Sequence, residues 1–244
     1  SLVERHIVSP EFISGRRGKA VLISDDESIS IMINEEDHLR IQVLREGFSL
    51  KEAAETADRI DTLLSETLDF AYDPEFGYLT QCPTNLGTGM RASVMLHLPA
   101  LTENGAMPRI ASNLSKLGLT IRGTYGEGSK SVGGLYQLSN QITLGLSENE
   151  AIENLRSITV QLMEEERKAR SQMAQDVAWQ DKIDRAAGIL KTARVLSSSE
   201  CMELLSYVRF GISVGILQGV TTEELSGLMV NVQPGTLMAK AGKP

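Results

Sequence analysis

The sequence predicts an α+β chain that ends in a wholly helical segment. Three observations carry this. Apolar and β-branched residues alternate with period two in short runs between Ala20 and Leu98. Helical runs open on capping side chains at Ser49, Ser197 and Thr221. From Glu148 onward the period-two pattern disappears and helical spacing takes over.

Taken in order, Ala20–Ser24 and Ser28–Ile33 flank Asp25-Asp-Glu27 and read as a β-hairpin. His38–Val43 continues as a strand, with Leu39, Ile41 and Val43 of one parity and Glu36, His38, Arg40 and Gln42 of the other. Ser49-Leu-Lys-Glu52 is a capping box opening a helix to about Thr67, whose buried stripe is Leu50, Ala53, Ala54, Ala57, Ile60 and Leu64. Met90–Leu98 is the clearest strand by alternation, with Arg91 on its polar face. Pro108–Leu117 is a short helix stopped by Gly118. Leu119–Arg122 and Gln141–Leu144 read as strands on either side of the Gly-rich stretch 123–134. One long helix is expected from Glu148 to about Gly188, with Ile152, Leu155, Leu162, Met163 and Met173 inward and Glu164–Arg170 as a solvated charged face. Ser197–Glu200 and Thr221–Glu224 cap two more helices. A boundary falls near 170–185, dividing residues 1–176 from a helical dimerisation or regulatory segment, 177–244.

Composition narrows the function classes. The 244 residues carry 24 Lys+Arg against 32 Asp+Glu, a net charge of −8, which argues against a nucleic-acid binder. At 41% hydrophobic and 23% charged the chain has enough apolar surface for a core. No apolar run reaches the roughly 20 residues of a membrane span. Ser1–Ser9 lacks an apolar segment, so no signal peptide is expected there. Two cysteines make neither a disulfide framework nor a zinc cluster. A cytoplasmic protein is the expectation.

Three segments carry chemistry. Asn34-Glu-Glu-Asp-His-Leu-Arg40 sets three carboxylates together after an apolar strand, costly unless a cation is present. Cys82-Pro-Thr-Asn-Leu-Gly-Thr-Gly-Met-Arg91 has the small residues of a loop whose backbone N–H groups point at an anion, and Arg91 follows it. It is not a Walker loop, since no Gly-Lys-Ser/Thr follows. Arg122-Gly-Thr-Tyr-Gly-Glu127-Gly-Ser129 puts an arginine at a strand end and a carboxylate in a Gly-rich loop. Each has an ordinary reading: an exposed acidic turn, a small buried cysteine, a plain surface loop. Together, three arginines (Arg40, Arg91, Arg122) would converge on a polyphosphate. Two carboxylates (Glu36, Glu127) and the thiol of Cys82 would converge on a cation. An anion site beside a cation site suggests phosphoryl transfer to a basic acceptor.

These segments resemble the signatures of the guanidino kinases, the phosphagen kinase family. Gly87–Val94, Arg122–Ser129 and Ser139–Gly145 are most similar to the bacterial protein-arginine kinases of the heat-shock response. The resemblance implies an antiparallel β-sheet flanked by helices, followed by the small all-helical segment. It implies ATP-dependent transfer of the γ-phosphoryl to arginine on protein substrates. Glu36 would be the base, Glu127 its partner on the acceptor guanidinium, and Cys82 a thiolate against the same group. Arg40, Arg91 and Arg122 would hold the ATP phosphates, His38 would lie near the nucleotide, and Mg²⁺ would bridge the phosphates with no protein metal site. Implied partners are a heat-shock repressor as substrate, a zinc-binding activator, a Clp-type protease and a second copy of the chain, with no nucleic acid or membrane.

Tyr125, Gly128 and Met95 replace an arginine and two histidines of the small-molecule members, favouring the protein-arginine branch. Neither an early Ser-x-Arg-x-Arg strand before Asn34 nor a C-terminal Arg-Asp-x-x-Arg-Ala segment is found, so truncation at both ends is expected, with activity of this chain alone in question. Two alternatives stand beside the leading reading. One is a kinase for a free small guanidine. The other is an inactive dimeric adaptor using Leu204, Leu205, Val208, Ile212 and Ile216 as its interface, a stripe that equally fits ordinary core.

Overall fold

Alternating apolar residues build the first sheet. In the computed structural model, which describes residues 1–14, 17–124 and 131–242, β1 (Ala20–Ile23) and β2 (Ile29–Ile33) form the expected hairpin. Ala20 stands opposite Ile33 and Ile23 opposite Ser30. Next, β3 (Leu39–Val43) pairs antiparallel with β2, Ile31 opposite Ile41 and Met32 opposite Arg40. The parity reading needs one correction. The even-numbered face of β2 holds the deeply buried Ser30 and Met32, so Arg40 and Gln42 share the face that the N-terminal segment covers. There Ile7, Val8 and Met32 make a core with Leu2, Val3, Phe12, Val21, Ile23 and Leu44 around it. Met32 is wholly buried, contributing about 1.5–3 kcal/mol.

Helix α1 (Leu50–Ser65) lies against β3 and begins where expected. Its capping box does not form. The Ser49 hydroxyl donates to the Glu46 carbonyl instead, and no side chain caps this N-terminus. Two short strands, β4 (Tyr72–Asp73) and β5 (Gly77–Tyr78), follow as a hairpin. Then β6 (Ser93–His97) starts later than the alternation suggested, and α2 (Pro99–Glu103) and α3 (Met107–Lys116) follow. Helix α3 stops before Gly118, whose φ of 70° is left-handed.

The second three-stranded sheet has the order β6-β8-β7, with β7 at Leu119–Gly123 and β8 at Leu135–Asn140. Leu98 donates to Gly134 and Asn140 to Ala92, so β6 and β8 run in opposite senses. The strand expected at Gln141–Leu144 is therefore displaced to 135–140. The reason is burial: Leu135, Tyr136 and Leu138 are enclosed, whereas Ile142 and Leu144 stand about half exposed.

Helix α4 (Glu148–Met173) and α5 (Val177–Thr192) replace the single long helix. Asp176 ends the run by accepting from the Ala178 N–H as an N-cap. Ser197 caps α6 (Ser198–Ser213), and Thr221 with Glu224 forms a complete capping box on α7 (Thr222–Asn231), followed by α8 (Pro234–Lys240).

The chain divides into two compact units. One is Leu2–Val94 with Ser139–Arg156; the other is chiefly Met95–Leu138 with Ser157 onward. In the second, α5 and α6 pack closely: a Cβ on Gly211 would stand 2.5 Å from Ile183 Cγ2. Leu204, Leu205 and Val208 lie in its core with Met202, Tyr207, Leu225 and Met229, and Ile212 packs against them. These four residues of the proposed interface stripe are thus interior.

The second unit also corrects the charged middle of α4. Glu166 is 3% exposed. Its carboxylate accepts from the Ala100 and Leu101 N–H groups at 3.1 and 3.0 Å, capping α2, and from Arg170 Nε at 2.6 Å. Arg170 goes on to donate to the His97 carbonyl at 2.7 Å, to His97 Nδ1 at 3.1 Å and to Ser213 Oγ at 2.9 Å. An acceptor role for Nδ1 leaves the proton on Nε2, which faces Ser206 Oγ at 2.8 Å. Burial, then the neighbouring Arg170 and Arg209, hold the His97 pKa well below 6.5.

Candidate functional site

The first chemical segment is the β2–β3 connection. Asn34 turns the chain with a φ of 56° and closes the loop by donating its N–H to the His38 carbonyl at 3.0 Å. Its side-chain amide donates to the Gly18 carbonyl at 2.7 Å. The three carboxylates behind it do not gather on one cation. Glu35 turns inward, 9% exposed, and accepts from the Ser9 hydroxyl and from Arg40 Nη1 at 3.1 Å. Asp37 accepts from the Gln81 backbone N–H at 2.7 Å. Glu36 and His38 point to solvent. Among the described residues no three His, Cys, Asp or Glu side chains come together as a metal cage.

The Asp37 bond joins the first segment to the second, since Gln81 precedes Cys82. Cys82 is half-exposed, with Sγ 3.0 Å from Thr84 Oγ1. A 3₁₀ turn at Pro83–Asn85 carries the chain away from it. The loop beyond is not an anion nest. Gly87 N–H donates to Tyr78, Thr88 N–H to Thr143 and Gly89 N–H to Asn85, at 3.3, 3.0 and 3.0 Å. Met90 N–H is met by Thr88 Oγ1 at 3.2 Å and Ala92 N–H by Asn140 Oδ1 at 2.7 Å. The glycines serve chain crossing: a Cβ on Gly87, which has a φ of 105°, would lie 2.3 Å from the Thr143 carbonyl oxygen.

The groups this region leaves open to an anion are therefore side chains. Arg91 is exposed and leads into β6; Arg40 is held by Glu35 with its side chain 45% exposed. Glu36, His38, Arg40, Cys82 and Arg91 all belong to the first unit. Arg122, exposed near the end of β7, belongs to the second. Glu127, with Tyr125 and Gly128, lies outside the described residues.

Beside the loop a shallow cleft of about 230 Å³ is lined by Tyr72, Phe76, Tyr78, Thr88, Thr143 and Glu148. Burial, and then Asp58 and Glu148, raise the Asp61 carboxyl above its ordinary value nearby. Burial, followed by Asp61 and Glu148, raises the Tyr78 hydroxyl.

The structural roles of four polar residues of this region escaped the sequence reading: Glu35, Asp37, Asn140 and Thr143. Only a turn signal at Asn34, which breaks strand parity and sends Glu35 inward, was available to find the first. The others act across 44 to 59 residues and leave no local pattern.

Comparison with known proteins identifies the family. The profile described as ATP:guanido phosphotransferase, C-terminal catalytic domain, matches residues 1–169. The chain belongs to that family. The profile of the protein-arginine kinase McsB C-terminal domain matches residues 176–244. The protein-arginine kinase of Clostridium acetobutylicum is 50% identical over 237 residues, 96% of this chain and 70% of that protein. That of Halothermothrix orenii is 51% identical over 244 residues, 99% and 70% of the two chains. Among solved guanidino phosphotransferases, the duplicated taurocyamine kinase of Schistosoma mansoni with transition-state analogue components superposes with a TM-score of 0.60 at 34% identity, over 68% of this chain and 24% of that one. A lombricine kinase gives 0.60 at 27% identity, over 70% and 50%. No described helix is long and apolar enough to cross a membrane.

Proposed function

We propose that the chain carries the transfer site of an ATP-dependent protein-arginine kinase, acting in the cytoplasm on folded protein substrates. The supporting observation is the 2.7 Å bond from Gln81 N–H to Asp37, which sets the turn bearing Glu36 and Arg40 beside the loop bearing Cys82 and Arg91. Glu36, His38, Arg40, Cys82 and Arg91 then share one unit.

The chemistry needs both kinds. An arginine guanidinium has a pKa of roughly 12.5–13.8, so its neutral nucleophilic form costs about 8 kcal/mol at neutral pH. Glu36 takes the proton as the N–P bond forms and the bond from the γ-phosphorus to the bridging oxygen breaks, leaving ADP. The family resemblance gives Glu127, outside the described residues, the part of orienting the guanidinium fork. Cys82 faces the same cation through its sulfur. Arg40 and Arg91 spread over the phosphate oxygens, where negative charge grows, with His38 near the nucleotide, and for Arg122, in the other unit, the same role is carried over from the family resemblance alone. Magnesium, where carried on the ATP phosphates, would supply charge neutralisation there. Residues 177–244 would serve self-association, and the heat-shock repressor, zinc-binding activator and Clp-type protease are the partners to test.

The test is transfer of phosphate from labelled ATP to a folded arginine-bearing protein and, separately, to free arginine. Phosphoarginine on protein alone is expected. Turnover of free arginine at equal or greater efficiency sinks the protein-kinase reading, and no transfer to either sinks both.

A further inference from the structure

Asn140 and Thr143 have no part in the chemistry above, yet both are buried, at 3% and 6% exposure. The Asn140 amide accepts from Ala92 N–H at 2.7 Å and donates to the Met90 and Ile142 carbonyls, each at 3.1 Å. The Thr143 hydroxyl reaches the Thr84 and Leu86 carbonyls at 3.0 and 2.8 Å, while its own carbonyl accepts from Thr88 N–H at 3.0 Å. One short run thus fixes five points of the segment 84–92. The points separate by neighbourhood. Asn140 grips the residues on either side of Arg91. Thr143 grips the residues that follow Cys82.

We propose that Asn140 and Thr143 are positioning residues for the two halves of the transfer site, Asn140 setting Arg91 toward the nucleotide phosphates and Thr143 setting Cys82 toward the acceptor guanidinium. The inference rests on the roles given to Arg91 and Cys82 above. Arg91 itself is exposed, so packing does not hold its side chain and its aim depends on where the backbone is pinned. Displacing a positioning group by about 1 Å lowers rate by roughly a hundredfold. Two bonds of one enclosed amide, one accepted from the Ala92 N–H and one donated to the Met90 carbonyl, pin that backbone on both sides of Arg91. Removing the amide also leaves the Ala92 N–H and Met90 carbonyl unmet.

The experiment compares Asn140→Ala, Thr143→Val and Arg91→Ala in the full chain. It reads ATP affinity by calorimetry with Mg²⁺, the two KM values, kcat and the rate of Cys82 alkylation. Asn140→Ala is expected to weaken ATP binding about tenfold and leave the acceptor KM within about twofold. Thr143→Val should raise the acceptor KM and change the alkylation rate by about threefold, with ATP affinity unaltered. Adding Asn140→Ala to Arg91→Ala should weaken ATP binding by less than about twofold further. A fall in kcat alone, an equal rise of both KM values, or full additivity in the Arg91→Ala background would overturn the proposal and leave the two residues as scaffold. Arg91→Ala with unchanged ATP affinity defeats the reading of Arg91 itself and this inference with it. A normal Arg91→Ala loss beside a silent Asn140→Ala defeats this inference alone. Should Asn140→Ala fail to fold, the isosteric Asn140→Asp enters the same cycle, and Thr143→Val stands by itself.

Discussion

Two polar constellations of similar composition behave oppositely. Around Asn34–Arg40, carboxylates, an imidazole and a guanidinium sit at the surface, with Glu36 and His38 turned to solvent and Arg40 half free. Around His97, a carboxylate, an imidazole and a guanidinium are closed on one another, with Glu166 accepting three bonds and Arg170 donating to three residues. The difference teaches which charges do chemistry. A buried network whose members satisfy each other has nothing left for a ligand, and it fixes the corner between β6 and α2. A surface cluster with one buried anchor, Glu35, keeps its other groups available.

The comparison breaks most plainly at the two glutamates. Glu36→Gln should lower phosphoarginine formation by about 10²–10⁴-fold, read by mass spectrometry, while its melting temperature stays near that of the parent. Glu166→Gln should do the reverse, lowering stability by about 3–5 kcal/mol in urea unfolding, because Arg170 is left in an enclosed site without its anion. Matching losses of stability in both variants would erase the contrast.

A smaller effect sharpens it through pH. Unfolded, His97 takes a proton near pH 6.5; folded, its pKa lies well below that. Below pH 6.5 the unfolded state binds more protons, so stability falls as pH falls, by at most about 1.4 kcal/mol per unit. Above pH 6.5 the contribution is fully present. His6, lowered by burial, acts in the same direction. The share belonging to His97 is the part of the slope between pH 7.5 and 5.5 that His97→Gln removes.

The smallest effects concern two helix starts. Thr221→Ala should cost about 1 kcal/mol, since that capping box is formed. Ser49→Ala should cost no more than a few tenths, since its hydroxyl caps nothing. Paired denaturation curves measure both.

These two caps also mark how far the sequence could be read. Both have the same S/T-x-x-E pattern, and both place a helix start correctly. Only the backbone angles at the cap decide whether the side chain reaches back: ψ is 161° at Thr221 and 45° at Ser49. Local pattern likewise located the hairpin, α3 and the C-terminal helices. It failed where distant residues decide. Leu135–Asn140 outcompeted Gln141–Leu144 for the strand because enclosure, not alternation, selects the paired run. Glu166 looked like a solvated helix residue because its partners at 100 and 101 are more than 60 positions away. At the candidate site the chemical segments were legible as motifs. The divergence of Glu35, Glu36 and Asp37 within the first was not, because Ser9 and Gln81, which hold Glu35 and Asp37, stand 26 and 44 positions away.

That distant cap on α2 bears on the order of synthesis. Five residues make too short a helix to hold itself, and its first free amides wait for a carboxylate that leaves the ribosome some 66 residues later. Until α4 has emerged, the Ala100 and Leu101 N–H groups lack their carboxylate cap. The nascent chain therefore carries this corner uncapped while some 66 further residues are made, a stretch in which a chaperone or a wrong strand has time to reach it.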